Sequence, residues 1–482
     1  MTVESPAPIT KAGSVPEARL EPNAIGVAQD TVIGMASAAP AATLGLILAA
    51  LAAATFYASG PALILIALPM IVIANCYRRL NMWNANCGAS FEWVGRVINP
   101  YLGFMTGWIM ITGNTLATVG TTVVLGPSVL AVFGSTAAAS TTPNLIISTV
   151  VILGMLVIAV IGIRITARTQ VGLAIIEYTI LVGFGVAGLI AVLGHRHGTF
   201  PITRDWWSLS GIGGHGSLAA GCLVAVYAYV GWDGTIYVNE EVKHRRANPG
   251  RAAMMSVALL AVIYTLVQVG LQGMVSPAQL QAHSTDALVY TAQALAGSGW
   301  AKTMAFAIAL SVIATTGVTI VLTARIIYGM ASHRVLPPVL GNVNRRFSTP
   351  VGATVVVGLT LLGITWAYLL FTSLANAFSD VIAVSSLLFA TFYILTAVTA
   401  TTYYWRRVFS NVLDAVNLGL LPLASAGFLG WVVVKTLLAA PPPQLWSLVG
   451  IVSLGLILIP IVRFVLRPQY FQFRPETENR AR

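Results

Sequence analysis

Residues 27–54 read VAQDTVIGMASAAPAATLGLILAALAAA. The stretch is long and apolar enough to cross a bilayer as a helix, which takes about 20 residues. Pro40 interrupts it, because a proline lacks the N–H and its ring clashes with the carbonyl four residues earlier. Together with Gly34 and Ser37, this proline predicts an unwound segment near mid-membrane. An ordinary proline kink in a packed helix is the alternative.

A second apolar segment is interrupted at residues 228–234, which read AYVGWDG. Unwound backbone inside a membrane is tolerated only where a polar cavity or a ligand satisfies its N–H and C=O groups. The N-terminus of a half-helix attracts a carboxylate, and the C-terminus of a half-helix attracts an ammonium group. The two breaks therefore predict a transport site for a solute with both charges, as an amino acid has.

The composition identifies a membrane protein. Apolar residues make up 57% of the 482 residues and charged residues only 9%, whereas a soluble domain carries about 25% charged residues. The three cysteines lack the spacing of a zinc site or a redox motif. Reading for apolar runs predicts twelve spans, at 27–54, 60–79, 100–131, 144–163, 169–193, 217–242, 252–274, 300–330, 351–371, 377–404, 412–438 and 445–466.

The charge distribution predicts the orientation of these spans. With both termini in the cytoplasm, all but four of the 26 Lys and Arg residues fall on the cytoplasmic side. The four exceptions are Arg196, Arg204, Lys302 and Lys435. Such an asymmetry is the positive-inside pattern of a multi-pass protein. It accounts for the net charge of +11 without a nucleic-acid partner.

Because five is an odd number of spans, a second repeat of five must be inserted upside down relative to the first. We expect a cytoplasmic N-terminal tail (1–26), a first five-helix repeat (27–193), an extracellular loop (194–216), a second, inverted five-helix repeat (217–404), helices 11 and 12 (412–466) and a cytoplasmic C-terminal tail (467–482). A further polar connection is expected at 275–298.

Four segments carry a family resemblance. They are YVGWD (229–233) with EEVK (240–243), GASFEWVGRVINPYLGFMTGW (88–108), GIRITAR (162–168), and RIIYGM (325–330) with LP (336–337) and TPV (349–351). In this order they resemble the amino acid–polyamine–organocation (APC) superfamily, in its amino-acid transporter branch. The resemblance runs along most of residues 27–404.

The resemblance implies an all-α integral membrane protein with twelve transmembrane helices. Ten would form a LeuT-type 5+5 inverted repeat with helices 1 and 6 broken, and two would follow at the C-terminus. It also implies a secondary active transporter of the cell membrane that moves an amino acid by alternating access, through proton-coupled symport or exchange. A polyamine or organic-cation transporter is the alternative, and a channel is a further one. We expect no enzymatic activity, cofactor or metal, since no nucleophile–base pair or metal-ligand cluster stands at membrane depth.

The residues at the two breaks are the candidate substrate site. Family members often have several glycines in the first break, whereas this chain has Gly34 and then alanines, a serine and Pro40, which offers no N–H to a carboxylate. Aromatic neighbours of the second break are candidates to contact an ammonium group, with ordinary packing as the alternative. We predict ten substrate-binding residues: Gly34, Ala36, Ser37, Ala38, Asn114, Tyr227, Tyr229, Val230, Gly231 and Trp232.

Glu177 is the candidate proton-coupling residue, because it is the carboxylate of an otherwise apolar span. By the resemblance, it falls where some family members place a charged side chain in the position that sodium fills in sodium-coupled relatives. A desolvated carboxylate takes up a proton more readily. The alternative is a structural carboxyl bonded to hydroxyls of helix 1 or helix 8, such as Thr315 or Thr316. These two oxygens also keep sodium coupling open.

Other acidic side chains are weaker candidates for function. Asp233 is predicted to act in gating, with capping of the second half of helix 6 as the alternative. Glu240 and Glu241 border a basic loop and are expected to form cytoplasmic salt bridges. Asp30 and Asp380 stand near span ends, where solvation or pairing is expected.

Overall fold

The computed structural model describes residues 19–135, 140–196, 198–212, 216–284, 286–371 and 374–478. These ranges contain helices and turns but no β-strand. The first ten helices are α1 (Val27–Ser37), α2 (Pro40–Thr55), α3 (Ser59–Trp83), α4 (Ser90–Val97), α5 (Pro100–Thr122), α6 (Leu125–Val132), α7 (Thr141–Ile161), α8 (Ile163–Leu193), α9 (Leu218–Ala228) and α10 (Gly234–Tyr237).

The second half of the chain continues in the same way. Its helices are α11 (Asn248–Gln272), α12 (Pro277–Ala282), α13 (Ala287–Ala296), α14 (Ser298–Ser332), α15 (Val351–Phe371), α16 (Leu374–Tyr403), α17 (Trp405–Val408), α18 (Val412–Asp414), α19 (Leu421–Ala439) and α20 (Pro442–Ile461). A π-helical segment, Ala415–Leu420, joins α18 to α19.

Ten helical stretches of the described residues are long and apolar enough to cross a membrane. The first of them, Val27–Trp83, is 57 residues long and comprises α1, α2 and α3. The shorter apolar helix α9 stands outside the ten. An all-α, multi-pass membrane protein, as the composition predicts, is therefore the architecture.

The helices form a packed interior and a lipid-facing rim. α14 is almost entirely buried and packs against α5, α6, α7, α8 and α13. In contrast, α20 is almost entirely exposed, and the large apolar side chains exposed on α7, α8, α15 and α20 have the character that lipid contact requires. A solute site in the interior around α14 would therefore be shielded from lipid.

Two of the expected segments show additional detail in the structure. The predicted third span, 100–131, corresponds to one candidate span, Pro100–Val132, in which a turn at residues 123–124 separates α5 from α6. The connection expected at 275–298 holds α12 and α13, which pack against α2. Both helices consist largely of small and apolar residues. Their apolar runs are too short to be recognised in the sequence as membrane spans.

Both tails contact the helices within the described residues. Ile25 donates its backbone N–H to Glu241 O (3.2 Å) and accepts from Lys243 N–H (2.9 Å). At the other end, the buried Tyr470 ring stacks on Phe91 with centroids 4.6 Å apart. These contacts hold the two tails on the same side as the loop after α10 and the short helix α4.

Candidate functional site

The first break lies between α1 and α2. α1 ends at Ser37, and Pro40 is the first residue of α2, where the missing N–H of a proline costs nothing. Ala39 between them has a φ of +47°, a left-handed conformation that is costly for a residue with a Cβ. The proline therefore begins a separate helix, and the alternative of an ordinary kink is wrong.

The second break lies between α9 and α10, at residues 229–233. Gly231 has a φ of +106°. A Cβ on Gly231 would stand 2.6 Å from the Ser37 carbonyl carbon and 2.8 Å from the Ala38 nitrogen, so only a glycine fits. The backbones of the two breaks thus touch each other.

Hydroxyl groups satisfy the carbonyls at the end of α1. Thr315 Oγ1 of α14 donates to Ser37 O (3.1 Å), and Thr43 Oγ1 of α2 donates to Ala38 O (2.7 Å). Thr43 also donates its N–H to Ala39 O (2.8 Å). The free peptide groups expected at an unwound segment are therefore paired, in this conformation, with short polar side chains that a solute can displace.

A small cavity of about 20 Å³ lies where the breaks meet. This volume holds about one water molecule. The lining is small and polar, and no charged side chain belongs to it. The lining residues are Ser37, Ala38, Ala39, Thr43, Ala117, Thr118, Thr121, Tyr227, Val230 and Thr315.

Four of the ten predicted substrate-binding residues line this cavity: Ser37, Ala38, Tyr227 and Val230. Tyr227 donates its hydroxyl to Ala117 O (3.2 Å), which ties α9 to α5. The ten predicted residues leave out the other six of the lining: Ala39, Thr43, Ala117, Thr118, Thr121 and Thr315. A helical repeat of threonines and alanines on α2 and α5 was the available signal, but the same residues are common at plain helix contacts in membranes.

The other predicted residues lie outside the cavity. Gly34 packs against Ser256, whose Oγ would be 2.7 Å from a Cβ there, and Ala36 is buried within α1. Asn114 stands one turn before Thr118 and accepts its hydroxyl through the backbone carbonyl (2.9 Å). Gly231 lacks a Cβ and thereby lets the backbones of the two breaks approach each other closely.

Two of the three aromatic candidates near the second break, Tyr229 and Trp232, lie outside the cavity lining. Trp232 stacks on Tyr393 (5.3 Å between centroids, 19° between planes) and meets Tyr77 edge-on (5.2 Å). Tyr229 meets Tyr264 edge-on (5.5 Å). Of the three aromatic candidates, only Tyr227 is therefore placed to contact a solute in this conformation.

Glu177 of α8 lies beside the start of α2. Its side chain is buried, and Oε1 accepts the backbone N–H of Ala41 (3.0 Å). The hydroxyls named as alternative partners bond elsewhere: Thr315 to Ser37 O, and Thr316 to Val312 O (2.7 Å). One partner is a free N–H in the first turn of α2, where a negative charge is favoured. Ser311 of α14 lies beside the same carboxyl, so the alternative of a structural carboxyl bonded to a hydroxyl of the eighth span stays open.

Asp233 belongs to a separate buried cluster. Its carboxylate accepts hydrogen bonds from the hydroxyls of Tyr393 (2.9 Å) and Tyr237. Although it precedes α10, its side chain makes no capping hydrogen bond. The capping alternative is therefore wrong, and the carboxylate joins α10 to α16 instead.

Asp30 of α1 was expected to be solvated or paired, and this expectation is wrong. The residue is fully buried, and neither carboxylate oxygen has a hydrogen-bond partner in the described part of the chain. The sequence position near the start of the span did not reveal that α1 is surrounded there by α8, α10, α11 and α14. Asp380, by contrast, accepts from Gln444 Nε2 (3.2 Å).

The loop after α10 contains one of the expected salt bridges. Glu241 and Arg325 are fully buried and form a two-pronged pair, with both N–O distances at 3.0 Å. Glu240 accepts the N–H of Cys87 (3.2 Å). Burial raises the pKa of Glu240 above its ordinary value, and the Cys87 N–H and Arg245 offset part of that increase. The pair joins the end of α14 to the segment that follows the second break.

Comparison with known proteins agrees with this geometry. The model of a family described as "Amino acid permease" matches residues 30–464. The Asc-type amino acid transporter 1 of Homo sapiens is 24% identical over 275 residues, which cover 55% of this chain and 48% of that protein. The arginine/ornithine antiporter of Latilactobacillus sakei is 22% identical over 359 residues, covering 73% of this chain and 74% of that protein.

A third relative is the large neutral amino acids transporter small subunit 2 of Oryctolagus cuniculus, 27% identical over 147 residues that cover 30% of this chain and 27% of that protein. The matched region thus spans about half the length of the human relative and less of the rabbit one. The family match, however, extends from α1 to α20 and includes both breaks. The chain therefore belongs to the amino acid permease family, whose members are transporters and not enzymes.

Proposed function

We propose that this protein is a secondary active transporter that moves a small neutral amino acid across the cell membrane by alternating access, with a proton as the coupling ion. The observation that carries the proposal is the contact between the two helix breaks, at Gly231 and Ser37, beside a small uncharged cavity. Membership of the amino acid permease family supports it.

We infer a twelve-crossing, LeuT-type arrangement from the helix lengths. Val27–Trp83 is long enough for two crossings, with α1 and α2 as one broken crossing and α3 as the next. α9 and α10 together supply another broken crossing, which adds to the remaining nine candidate spans. Two interrupted helices in corresponding halves are the usual mark of a transport site. The charge asymmetry favours cytoplasmic termini.

The cavity lining favours a small neutral substrate. Its side chains are alanines, threonines, a serine, a valine and a tyrosine, and none is charged. A second positive charge on arginine or a polyamine would be buried there without a carboxylate, at a cost of several kcal/mol. A neutral amino acid places its own two charges against the ends of the half-helices. The organic-cation alternative lacks such a counter-charge in the lining.

The size of the cavity favours a carrier over a channel. A volume of about 20 Å³ admits no amino acid, so the site must open to one side before a solute enters. We infer that Tyr227 is the mobile element, because its side chain belongs to the lining and its hydroxyl is held by one hydrogen bond, to Ala117 O. A channel, in contrast, needs a path that is open to both sides at once.

The position of Glu177 supports proton coupling. In its charged form the carboxylate accepts the Ala41 N–H and is stabilised by the partial positive charge at the N-terminus of α2. Protonation removes that charge and weakens the link between α8 and α2. The start of α2 then becomes free to bind the carboxylate of a substrate, so that proton and substrate are taken up together.

Uptake into proteoliposomes tests the proposal. Radiolabelled alanine, leucine, arginine and putrescine are offered with a proton gradient, with a sodium gradient, or with neither, and empty liposomes are the control. We expect saturable alanine uptake that accumulates only with the inward proton gradient. A preference for putrescine, accumulation driven by sodium, or non-saturating current would contradict the substrate, the coupling ion or the carrier mechanism, respectively.

A further inference from the structure

A second, larger cavity lies on the side of the two tails, apart from the cavity between the breaks. Its volume is about 820 Å³, which is in the range of pockets that hold small molecules. Three segments that are far apart in the chain form its wall: the segment before α1, the loop after α10, and the end of α14 with the loop that follows it. The polar side chains of the lining include Arg19, Glu240, Arg245, Tyr328, Asn342 and Arg345.

The charges of this lining are unbalanced. Each of the three segments contributes one arginine, whereas Glu240 is the one acidic residue among the described residues of the lining. None of the three guanidinium groups forms a hydrogen bond or a salt bridge within the described part of the chain. Glu21, the acidic residue that follows Arg19 in its segment, pairs instead with Arg164 of α8 at 2.6 Å. The cavity therefore has an excess of two positive charges.

The positive-inside pattern accounts for many basic residues on this side without any bound molecule. It does not account for arginines from three separate segments at one cavity. Arg246 and Arg346 directly follow two of these arginines in the chain, and both are exposed and lie outside the lining. The convergence on a cavity thus distinguishes Arg19, Arg245 and Arg345 from their basic neighbours.

The lining has the chemistry of a phosphate site. A guanidinium group binds phosphate through two parallel N–H···O bonds, so three of them suit a molecule with several phosphate oxygens. Tyr328 and Asn342 add a hydroxyl and an amide, which can bond the uncharged part of such a molecule. A neutral amino acid is a poorer match, because three arginines repel its ammonium group. This cavity therefore selects a different class of molecule from the cavity between the breaks.

The cavity adjoins segments that separate when the protein opens on this side. The two backbone hydrogen bonds of Ile25, with Glu241 and Lys243, tie the segment before α1 to the loop after α10. Glu241 pairs with Arg325 of α14, which stands three residues before Tyr328. An anion that contacts all three arginines adds a further connection among the same segments, so it stabilises the conformation in which they are together.

We propose that this cavity binds an anion with several phosphate charges, supplied by a free organic polyphosphate or by a phosphorylated lipid headgroup, and that the bound anion slows transport. Arg19, Arg245 and Arg345 hold its phosphate oxygens. The binding site is independent of the transported solute. The slowing of transport rests on the proposed function, since the anion acts by holding together segments that alternating access must separate.

Calorimetric titration of the full-length protein in neutral detergent tests the site without a transport assay. Inorganic tripolyphosphate is the probe for a free polyphosphate, and mixed micelles with phosphatidic acid, against phosphatidylcholine as blank, are the probe for a lipid headgroup. We expect Arg245→Gln and Arg345→Gln each to weaken binding about tenfold, because each removes charge-assisted hydrogen bonds. The matched controls Arg246→Gln and Arg346→Gln change the net charge equally and should leave the affinity unchanged.

The outcomes separate a built site from a basic surface. Equal weakening by the two control variants would reduce the binding to general attraction and overturn the site, as would the absence of binding by both probes. Binding of tripolyphosphate supports the site with a free polyphosphate as its source, and binding of phosphatidic acid alone supports it with a lipid as its source. Arg245 and Arg345 are both exposed, so we expect their variants to fold.

Uptake into proteoliposomes then tests the effect on transport. The probe that binds, present on both sides at ten times its Kd, should lower the initial rate of alanine uptake about tenfold, because it withdraws the protein into one conformation. The double variant Arg245→Gln/Arg345→Gln should keep its rate. An unchanged parental rate would overturn the slowing of transport, whereas binding in a protein that takes up no amino acid would contradict only the proposed function.

Discussion

The two helix breaks differ in how firmly their surroundings hold them. The first break places an alanine, Ala39, in a left-handed conformation, and the adjacent Glu177 accepts one backbone N–H from α2 beside Ser311 of α14. The second break has Gly231 in its positive-φ conformation, and the adjacent Asp233 accepts two tyrosine hydroxyls. The first break therefore stores backbone strain in an alanine, whereas the carboxylate beside the second break has both of its oxygens engaged.

This difference separates two roles for buried carboxylates. A carboxylate with both oxygens engaged, as in Asp233, gains stability from its charge and fixes the helices around it. A carboxylate held by one peptide N–H and a neighbouring serine, as in Glu177, loses less on protonation than one that accepts two tyrosine hydroxyls. We therefore interpret the first break as the moving part of the site and the second as its anchor, which replaces gating by Asp233 as our proposal for that residue.

The largest expected effect is on transport activity, and it distinguishes Glu177 from Asp233. Glu177→Gln should abolish gradient-driven accumulation, a loss of about 100-fold or more, and spare exchange of internal for external substrate. The amide keeps an oxygen for the Ala41 N–H but carries no exchangeable charge. Accumulation and counterflow in proteoliposomes measure both activities. Equal accumulation in Glu177→Gln and the parent would remove Glu177 from the coupling mechanism.

The next effect is a loss of stability, expected at the second break, which we interpret as the anchor of the site. Gly231→Ala should lower the free energy of unfolding by about 3 kcal/mol, since the new Cβ meets the backbone of Ser37 and Ala38. Thermal unfolding in detergent measures the change. Gly427→Ala on α19 is the matched control, because no atom lies within 4 Å of a Cβ at that position. A normal unfolding temperature for Gly231→Ala would show that the breaks are not held in contact.

Asp233→Asn should have a smaller effect than Gly231→Ala and lower the free energy of unfolding by about 2 kcal/mol. The amide keeps the shape of the side chain but gives the hydroxyls of Tyr237 and Tyr393 an N–H group in place of one acceptor oxygen. The variant should still couple uptake to the proton gradient, in contrast to Glu177→Gln. Unfolding and uptake are compared in the same preparation. If Asp233→Asn is stable but uncoupled, the assignment of the two carboxylates is reversed.

The smallest expected effect is at the first break. Ala39→Gly should raise stability by about 0.5 kcal/mol, because relief of the left-handed conformation is worth about 1 kcal/mol and the more flexible unfolded chain offsets part of it. Thermal unfolding again gives the measurement, with Ala38→Gly as control, since Ala38 has an ordinary right-handed conformation. A destabilised Ala39→Gly would mean that the alanine methyl contributes packing that outweighs its strain.

The sequence alone predicted the long apolar helices of this chain and the two places where its helices are interrupted. Pro40 removes an N–H and fixes its own φ in any surrounding, and Gly231 permits a positive φ that other residues rarely adopt. The burial of Glu177 followed in the same way, because a lone carboxylate in an apolar span has few alternatives.

Only the tertiary structure decided which side chains face one another. The threonines of α2, α5 and α14 meet at the cavity, Trp232 stacks on Tyr393, and Glu177 accepts the peptide N–H of Ala41. The burial of Asp30 was equally unforeseen. Helical periodicity tells which residues share a face but not which helix packs against it, because that choice depends on contacts between segments far apart in the chain.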